Sequence, residues 1–146
     1  MTPAGRRLLL VLGAGLVPWS VQTFSTGSPT LLFAWGLVNL VPLNVTTLFD
    51  FLFRFTMGLP DYILAWPVGV VCYLVALASA VVAARFGRED VRVTVAGLVL
   101  AGITQLEVAR GFSIQPGRTA WPVGTVFLWA VAGYLYWSRA PSSTRE

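Results

Sequence analysis

The polar residues best suited to chemistry lie in two short stretches of an otherwise apolar chain. Glu107 and Arg110 are three residues apart, and Asp50 and Arg54 are four apart, spacings at which side chains meet on one face of a helix. Gln105 stands beside the first pair. We expect these five residues to form a polar site on the outer face of a membrane, which recognises a substrate tail or a partner protein. The simpler interpretation is ion pairing and snorkelling at the membrane surface.

The residue types that are missing exclude most catalytic and cofactor chemistry. All 10 basic residues are arginines, so there is no lysine to form a Schiff base. The absence of histidine excludes ordinary haem ligation, a histidine zinc site and a Ser-His or Cys-His nucleophile pair. The single cysteine, Cys72, cannot form an internal disulfide. We therefore expect no cofactor, no metal and no enzyme activity.

Four long apolar segments must position these residues. The chain is 56% hydrophobic and 11% charged, with a mean hydropathy of +0.74, which is typical of a membrane protein. A helix needs roughly 20 mostly apolar residues to cross a bilayer. The sequence therefore predicts an all-α integral membrane bundle of four transmembrane helices, forming a single domain over residues 1–146 with a polar tail at 139–146. The predicted spans are residues 8–24, 62–84, 93–109 and 121–137.

The arginines favour one orientation of these spans, because arginine-rich loops stay in the cytoplasm. We expect a multi-pass protein of the cell membrane with both termini cytoplasmic. The predicted cytoplasmic side holds Arg6, Arg7, Arg85, Arg88, Arg92, Arg139 and Arg145, and the outer side holds Arg54, Arg110 and Arg118. The first segment begins like a signal peptide but lacks a clean cleavage site, so we expect a retained helix. The arginines form no stripe, which argues against nucleic acid.

Residues 31–57 allow more than one interpretation. Residues 31–41 are apolar but too few to cross a bilayer, and Pro42 ends them. Phenylalanines alternate over 49–55, as in a strand. Because an open strand at membrane depth leaves backbone groups unpaired, we expect instead a helix that lies in the outer interface or re-enters the membrane. A fifth span over 31–49 is the alternative, and it would bury Asn44, which begins a glycosylation triplet.

The pentapeptide Ala-Trp-Pro-Val-Gly occurs twice, at residues 65–69 and 120–124, and each copy begins a predicted span. Tryptophan suits the headgroup level, proline the first helical turn, and glycine a close neighbour one turn later. An internal duplication and independent selection of good helix-starting residues both explain the repeat. In either case we expect Trp66 and Trp121 to be interfacial anchors at similar depth, joined by Trp19.

Small residues at four-residue spacing predict close helix packing. Ala76, Ala80 and Ala84 lie in the second span, and Gly97 and Ala101 in the third. Small side chains let two helices approach closely in a membrane. The two interpretations are a hairpin within the chain and a docking face for another membrane protein.

Residues 17–20 (Val-Pro-Trp-Ser), 44–56 and 115–122 (Gln-Pro-Gly-Arg-Thr-Ala-Trp-Pro), together with the length and hydropathy, carry a family resemblance. The chain resembles a small haloarchaeal family of multi-spanning membrane proteins, often encoded beside archaeosortase A. That transpeptidase processes surface proteins bearing a C-terminal Pro-Gly-Phe signal and uses a histidine that this chain lacks. The family has no assigned activity, so the resemblance implies a setting in surface-protein sorting and no functional residues.

We therefore expect a non-enzymatic accessory protein, in contact with membrane lipids, that binds a larger membrane enzyme or its substrate at the outer leaflet. A sorting transpeptidase is the partner that the resemblance implies. The alternative is a small oligomeric transporter or lipid-handling protein, although no polar stripe runs through the centres of the spans. An enzyme of lipid chemistry using Asp50, Asp61 or Glu107 has no support in the spacing of those carboxylates.

Overall fold

The structure is a computed structural model that describes residues 3–25, 29–40, 43–53, 64–87, 91–114 and 117–139. These residues form five helices and one five-stranded sheet. The helices are α1 (Pro3–Leu16), α2 (Leu48–Phe53), α3 (Ala65–Phe86), α4 (Val91–Ile114) and α5 (Val123–Arg139). The strands are β1 (Ser20–Phe24), β2 (Thr30–Leu32), β3 (Gly36–Asn39), β4 (Asn44–Thr47) and β5 (Arg118–Trp121).

The prediction of an all-α bundle of four transmembrane helices is wrong, because five strands form one antiparallel sheet. Their order is β4-β3-β2-β1-β5, so the last strand in the sequence pairs with the first. Within the described residues only α3 and α4 are long and apolar enough to cross a bilayer, and the apolar part of α5 is shorter. The fold therefore combines apolar helices with a sheet at one end of them.

The first predicted span fails at Pro18. Proline lacks a backbone N–H and disfavours helical conformation in the residue before it. Helix α1 accordingly ends at Leu16, with a last bond from the Val17 N–H to the Gly13 carbonyl. The apolar run continues as strand β1, whose residues pair with β2 on one side and β5 on the other.

The described residues between 31 and 53 form strands and one short helix, so the predicted interfacial or re-entrant helix over this stretch is also wrong. Strands β2, β3 and β4 pair in succession, and their backbone groups bond to one another. The objection to an unpaired strand does not apply to a strand inside a sheet. Helix α2 spans only six residues and is capped by the Thr47 hydroxyl, which accepts the Asp50 N–H at 3.1 Å. Residues 54–57 lie outside the described residues.

Helices α3 and α4 form an antiparallel hairpin packed through small residues. Ala76, Ala80 and Ala101 are buried, and Gly97 lies so close to Ala76 and the Cys72 carbonyl that a larger side chain would not fit. The Thr94 hydroxyl donates to the Ser79 hydroxyl at 2.9 Å across the same contact. Of the two interpretations of the small residues, the hairpin within the chain is the one that the structure forms.

The long helices alternate in direction relative to the sheet. Helices α1 and α4 run towards it and lead into β1 and β5, whereas α3 and α5 run away from it. We call the sheet and the adjacent helix turns the sheet end. The opposite end holds the start of α1, the end of α3, the start of α4 and the end of α5. It carries Arg6, Arg7, Arg85, Arg92 and Arg139, and we call it the arginine end.

Candidate functional site

Two fully buried tryptophans join the helices to the sheet. The Trp19 indole N–H donates to the Ala14 carbonyl at 2.9 Å, and its ring meets the edge of Tyr73 with centroids 5.5 Å apart. The Trp66 indole N–H donates to the carbonyl of Phe33, just beyond β2, at 2.9 Å. Both indole N–H groups have a hydrogen-bond partner, and both side chains are fully buried. The two tryptophans therefore fix how the helices meet the sheet. We call this region the junction.

The two pentapeptide copies adopt different structures. The first lies in α3, where Gly69 allows Thr104 of α4 to approach. The second straddles β5 and α5, where Gly124 packs directly against the backbone of Trp19. Each glycine thus permits a close contact, but with a different partner. Trp66 is buried and Trp121 is 59% exposed, so the two tryptophans occupy unlike environments.

The predicted interfacial anchors separate in the same way. Trp19 and Trp66 lie inside the protein, where they cannot reach a lipid headgroup. Trp121 is exposed on the edge strand β5, and an interfacial role remains a prediction for this residue alone. The repeated pentapeptide predicts a structural role for its two tryptophans, but it does not distinguish a ring that faces the core from one that faces lipid.

Gln105 is fully buried on the face of α4 that packs against α3, close to Gly69. Neither its amide nitrogen nor its amide oxygen has a hydrogen-bond partner among the described residues. The Ser20 hydroxyl, at the start of β1, is also buried, and it has no hydrogen-bond partner among the described residues either. A buried amide without partners costs about 1–3 kcal/mol. Gln105 is therefore the least favourably placed polar group of the α3–α4 contact.

Replacing Gln105 with methionine, which has a similar size and no strong hydrogen-bonding group, is expected to stabilise the protein by about 1 kcal/mol. The midpoint of thermal unfolding in nanodiscs would then rise by about 2–4 °C. Thr125→Val is the matched control, because the buried Thr125 hydroxyl does have a partner and donates to the Gly102 carbonyl at 2.8 Å. That variant is expected to lose stability. A clear fall in the midpoint for Gln105→Met would contradict the assignment of an unsatisfied amide.

Glu107 and Arg110 form the ion pair that their spacing predicts. Arg110 Nη2 lies 3.0 Å from Glu107 Oε2 and 3.1 Å from Oε1. The two side chains are 51% and 70% exposed, respectively, so the pair contributes little to stability. It lies in the last third of α4, on the opposite side of the helix from buried Gln105.

The five predicted site residues do not meet in one place. Asp50 lies in α2, directly after β4, whereas α4 leads into β5. These two strands are the opposite edges of the sheet, about 19 Å apart at an inter-strand spacing of about 4.8 Å. Arg54 lies outside the described residues. The ion pair, the buried amide and Asp50 are therefore three separate features.

Arg118, which the sequence predicts on the outer side, lies in β5 beside the sheet-end part of α4. The Arg118 guanidinium in β5 stands 5.0 Å from the ring centre of Phe112, and that ring meets the edge of Phe24 in β1. A cation over an aromatic face is attracted by the ring. No local sequence signal could have found the contact between Phe24 and Phe112, because these residues are far apart in the chain.

The profile of a domain family of unknown function, DUF8050, matches residues 2–146. The chain belongs to this family. No curated protein matches the sequence. DUF8050 is defined without an activity, so membership in it assigns this chain no function.

The sheet end of this DUF8050 chain presents apolar and aromatic side chains to the outside. Trp35 is 45% exposed and stacks on Phe33 with ring centres 4.8 Å apart. Leu43, Val45 and Trp121 are 76%, 52% and 59% exposed. Among the described residues, no three of His, Cys, Asp and Glu come together as a metal site would require.

Proposed function

We propose that this protein is embedded in the cell membrane and is a non-catalytic accessory subunit that binds a larger membrane protein through its sheet end. In this arrangement α3 and α4 cross the bilayer, α1 and α5 pack beside them, and the sheet lies at the outer leaflet. The arginine end, with both described ends of the chain, then faces the cytoplasm, as basic residues prefer.

The observation that carries the membrane placement is the exposure of the apolar helices. Only 33% of the most apolar stretch of α3 and 44% of that of α4 is buried within the protein. The core helix of a water-soluble protein would be mostly buried. The exposed side chains include Val68, Val71, Leu74 and Val81 of α3, Leu100, Ile103 and Leu106 of α4, Val126, Phe127 and Trp129 of α5, and Leu9, Leu12 and Leu16 of α1.

Lipid accounts for this surface better than a single protein partner does. All four long helices contribute to it, and exposed apolar patches of this extent mark membrane or protein contacts. One partner protein would cover one side of the helices, whereas lipid surrounds them. Helix α3 has 22 residues, and at about 1.5 Å per residue it is about 33 Å long, which matches the hydrocarbon core of a bilayer.

Two features of the sheet end support partner binding there. The exposed Trp35 has the residue type that most often dominates protein interfaces. The exposed Glu107–Arg110 pair lies in the last third of α4, towards the same end, and supplies charges of both signs. The partner that we propose is a membrane enzyme of surface-protein sorting, which follows from the family resemblance described above.

Reversing one charge of the exposed pair is expected to weaken this association. Glu107→Arg places two positive charges three residues apart, and we expect recovery of the partner in a nanodisc pull-down to fall at least about tenfold. Membrane insertion and thermal stability should stay close to those of the unmodified protein, because exposed ion pairs contribute little to folding. The partner is identified and quantified by mass spectrometry.

The matched control exchanges the two charges. Glu107→Arg with Arg110→Glu restores an ion pair within α4 but inverts the charges that a partner meets. If the partner recognises this surface, the double variant is as defective as the single one. Rescue by the double variant would assign the pair a purely structural role, and normal recovery with Glu107→Arg would contradict the proposed contact. Recovery of the unmodified protein alone would favour transport or lipid handling, to be followed by a liposome flux assay.

A further inference from the structure

The charges of the described residues are distributed unequally between the two ends of the helices. Five arginines lie at the arginine end, whereas the two carboxylates of the described residues, Asp50 and Glu107, lie in α2 and in the last third of α4. The sheet end has two carboxylates and two arginines in the described residues, Asp50, Glu107, Arg110 and Arg118. Residues 88–90, between α3 and α4, carry one positive and two negative charges by sequence. The net charge of the arginine end therefore remains positive.

These arginines come from every long helix. Arg6 and Arg7 lie in the first turns of α1, Arg85 in the last turn of α3, Arg92 at the start of α4, and Arg139 ends α5. The side chains of Arg6, Arg85 and Arg92 are exposed. Exposed positive charge at this end thus comes from three of the four long helices, α1, α3 and α4.

Exposed aromatic side chains occupy the same level. Tyr134, Tyr136 and Trp137 in the last turns of α5 are 46%, 55% and 76% exposed, and Phe86 at the end of α3 is 71% exposed. Tyrosine and tryptophan favour the headgroup region of a bilayer, where the ring is in apolar surroundings and the polar edge is hydrated. These four exposed aromatic side chains are a second observation, independent of the charges, in favour of a headgroup layer at the arginine end.

We propose that the arginine end binds the phosphate headgroups of anionic phospholipids. A guanidinium group presents a planar set of N–H donors that can bind two phosphate oxygens at once. The long arginine side chains reach the headgroups while their methylene groups stay against apolar surface. The inference rests on the membrane placement proposed above, and it adds a lipid class that this placement does not require.

The proposal distinguishes anionic lipid from lipid in general. A protein held in the bilayer only by its apolar helices would retain neutral and anionic phospholipids equally. Charge complementarity at the arginine end predicts a preference for the anionic lipid. Each basic residue near an anionic membrane surface is attracted to it electrostatically. The preference should weaken as salt screens the charges.

The test is native mass spectrometry of phospholipids retained by the protein. The protein is reconstituted in an equal mixture of phosphatidylglycerol and phosphatidylcholine, extracted in mild detergent, and the ratio of the two bound lipids is measured. Two variants with the same loss of charge are compared. Arg6→Gln with Arg85→Gln changes the arginine end, and Arg110→Gln with Arg118→Gln changes the sheet end.

We expect the unmodified protein to retain an excess of phosphatidylglycerol. The Arg6→Gln/Arg85→Gln variant should lower that excess by about tenfold to 30-fold, and the sheet-end variant should leave it nearly unchanged. Arg6→Lys with Arg85→Lys should keep part of the preference, because the charge remains while two-point binding is lost. Inorganic phosphate at the same ionic strength as a chloride control should displace little lipid.

Three results of the lipid-ratio measurement would overturn the proposal. They are equal retention of both lipids by the unmodified protein, an unchanged ratio in the Arg6→Gln/Arg85→Gln variant, and equal losses in both variants. Displacement of the lipid by inorganic phosphate would also overturn it, because the site would then recognise free phosphate. Failure of the protein to retain any phospholipid would contradict the membrane placement itself, so the two proposals fail in distinguishable ways.

Discussion

Replacing Trp19 with alanine is expected to lower the free energy of unfolding by about 3–5 kcal/mol. The side chain is fully buried at the junction, where its ring meets Tyr73 and its indole N–H donates to Ala14. Gly124 packs directly on its backbone. Alanine would leave a cavity and remove the hydrogen bond. The loss is one of packing, so it applies whether lipid or water surrounds the helices.

Two further variants separate the causes of this loss. Trp19→Phe keeps an aromatic ring but removes the N–H donor, and we expect an intermediate loss. Trp121→Ala is the matched control, because Trp121 is 59% exposed and its truncation should cost less than about 1 kcal/mol. Unfolding of the nanodisc-reconstituted protein by denaturant, followed by circular dichroism, gives the three values. Equal losses for Trp19→Ala and Trp121→Ala would contradict the buried junction.

The parts of the fold that depend on local sequence could be predicted. The apolar segments at 62–84 and 93–109 contain most of α3 and α4, because a long apolar run with small residues specifies a helix by itself. The Glu107–Arg110 pair is equally local, since helix geometry brings residues three apart together. The effect of Pro18 was also available in the sequence, but the apolar run that continues to Phe24 obscured it.

The sheet could not be predicted, because its pairings are far apart in sequence. Thr23 and Thr119, which are paired across β1 and β5, are separated by 96 residues. Each strand on its own is short and resembles a loop or the end of a helix, and only the neighbouring strands satisfy its backbone groups. The distance between Asp50 and Glu107 could not be predicted for the same reason. Asp50 and Glu107 belong to elements whose separation is set by strand order, and no local pattern encodes that order.

The second large effect concerns the outward face of α3, which defines the membrane placement. Leu74 lies in the middle of this helix and is 51% exposed. In water such a side chain would be open to any dissolved reagent. In a bilayer it would be in hydrocarbon, where a thiol does not ionise and a charged reagent does not enter. A cysteine at this position should therefore react fully with a charged thiol reagent if water surrounds α3, and should not react if lipid surrounds it.

The chain offers matched positions for this comparison. Cys72 is the only native cysteine, so Cys72→Ala provides a background without thiols. Val45 in β4 is 52% exposed, nearly the same as Leu74, and reports on the sheet end. Phe86 is 71% exposed and reports on the arginine end. Single cysteines at the three positions thus differ mainly in their level along the helices.

The decisive measurement is the labelling of these single cysteines in intact cells and inverted vesicles with a membrane-impermeant charged maleimide. The proposed placement predicts that Val45→Cys reacts only from outside the cell and Phe86→Cys only from the cytoplasmic side. It predicts that Leu74→Cys reacts from neither side until the protein is unfolded in detergent. Labelling of Leu74→Cys at the rate of Val45→Cys in intact membranes would show that this face of α3 lies in water, and it would contradict the membrane placement.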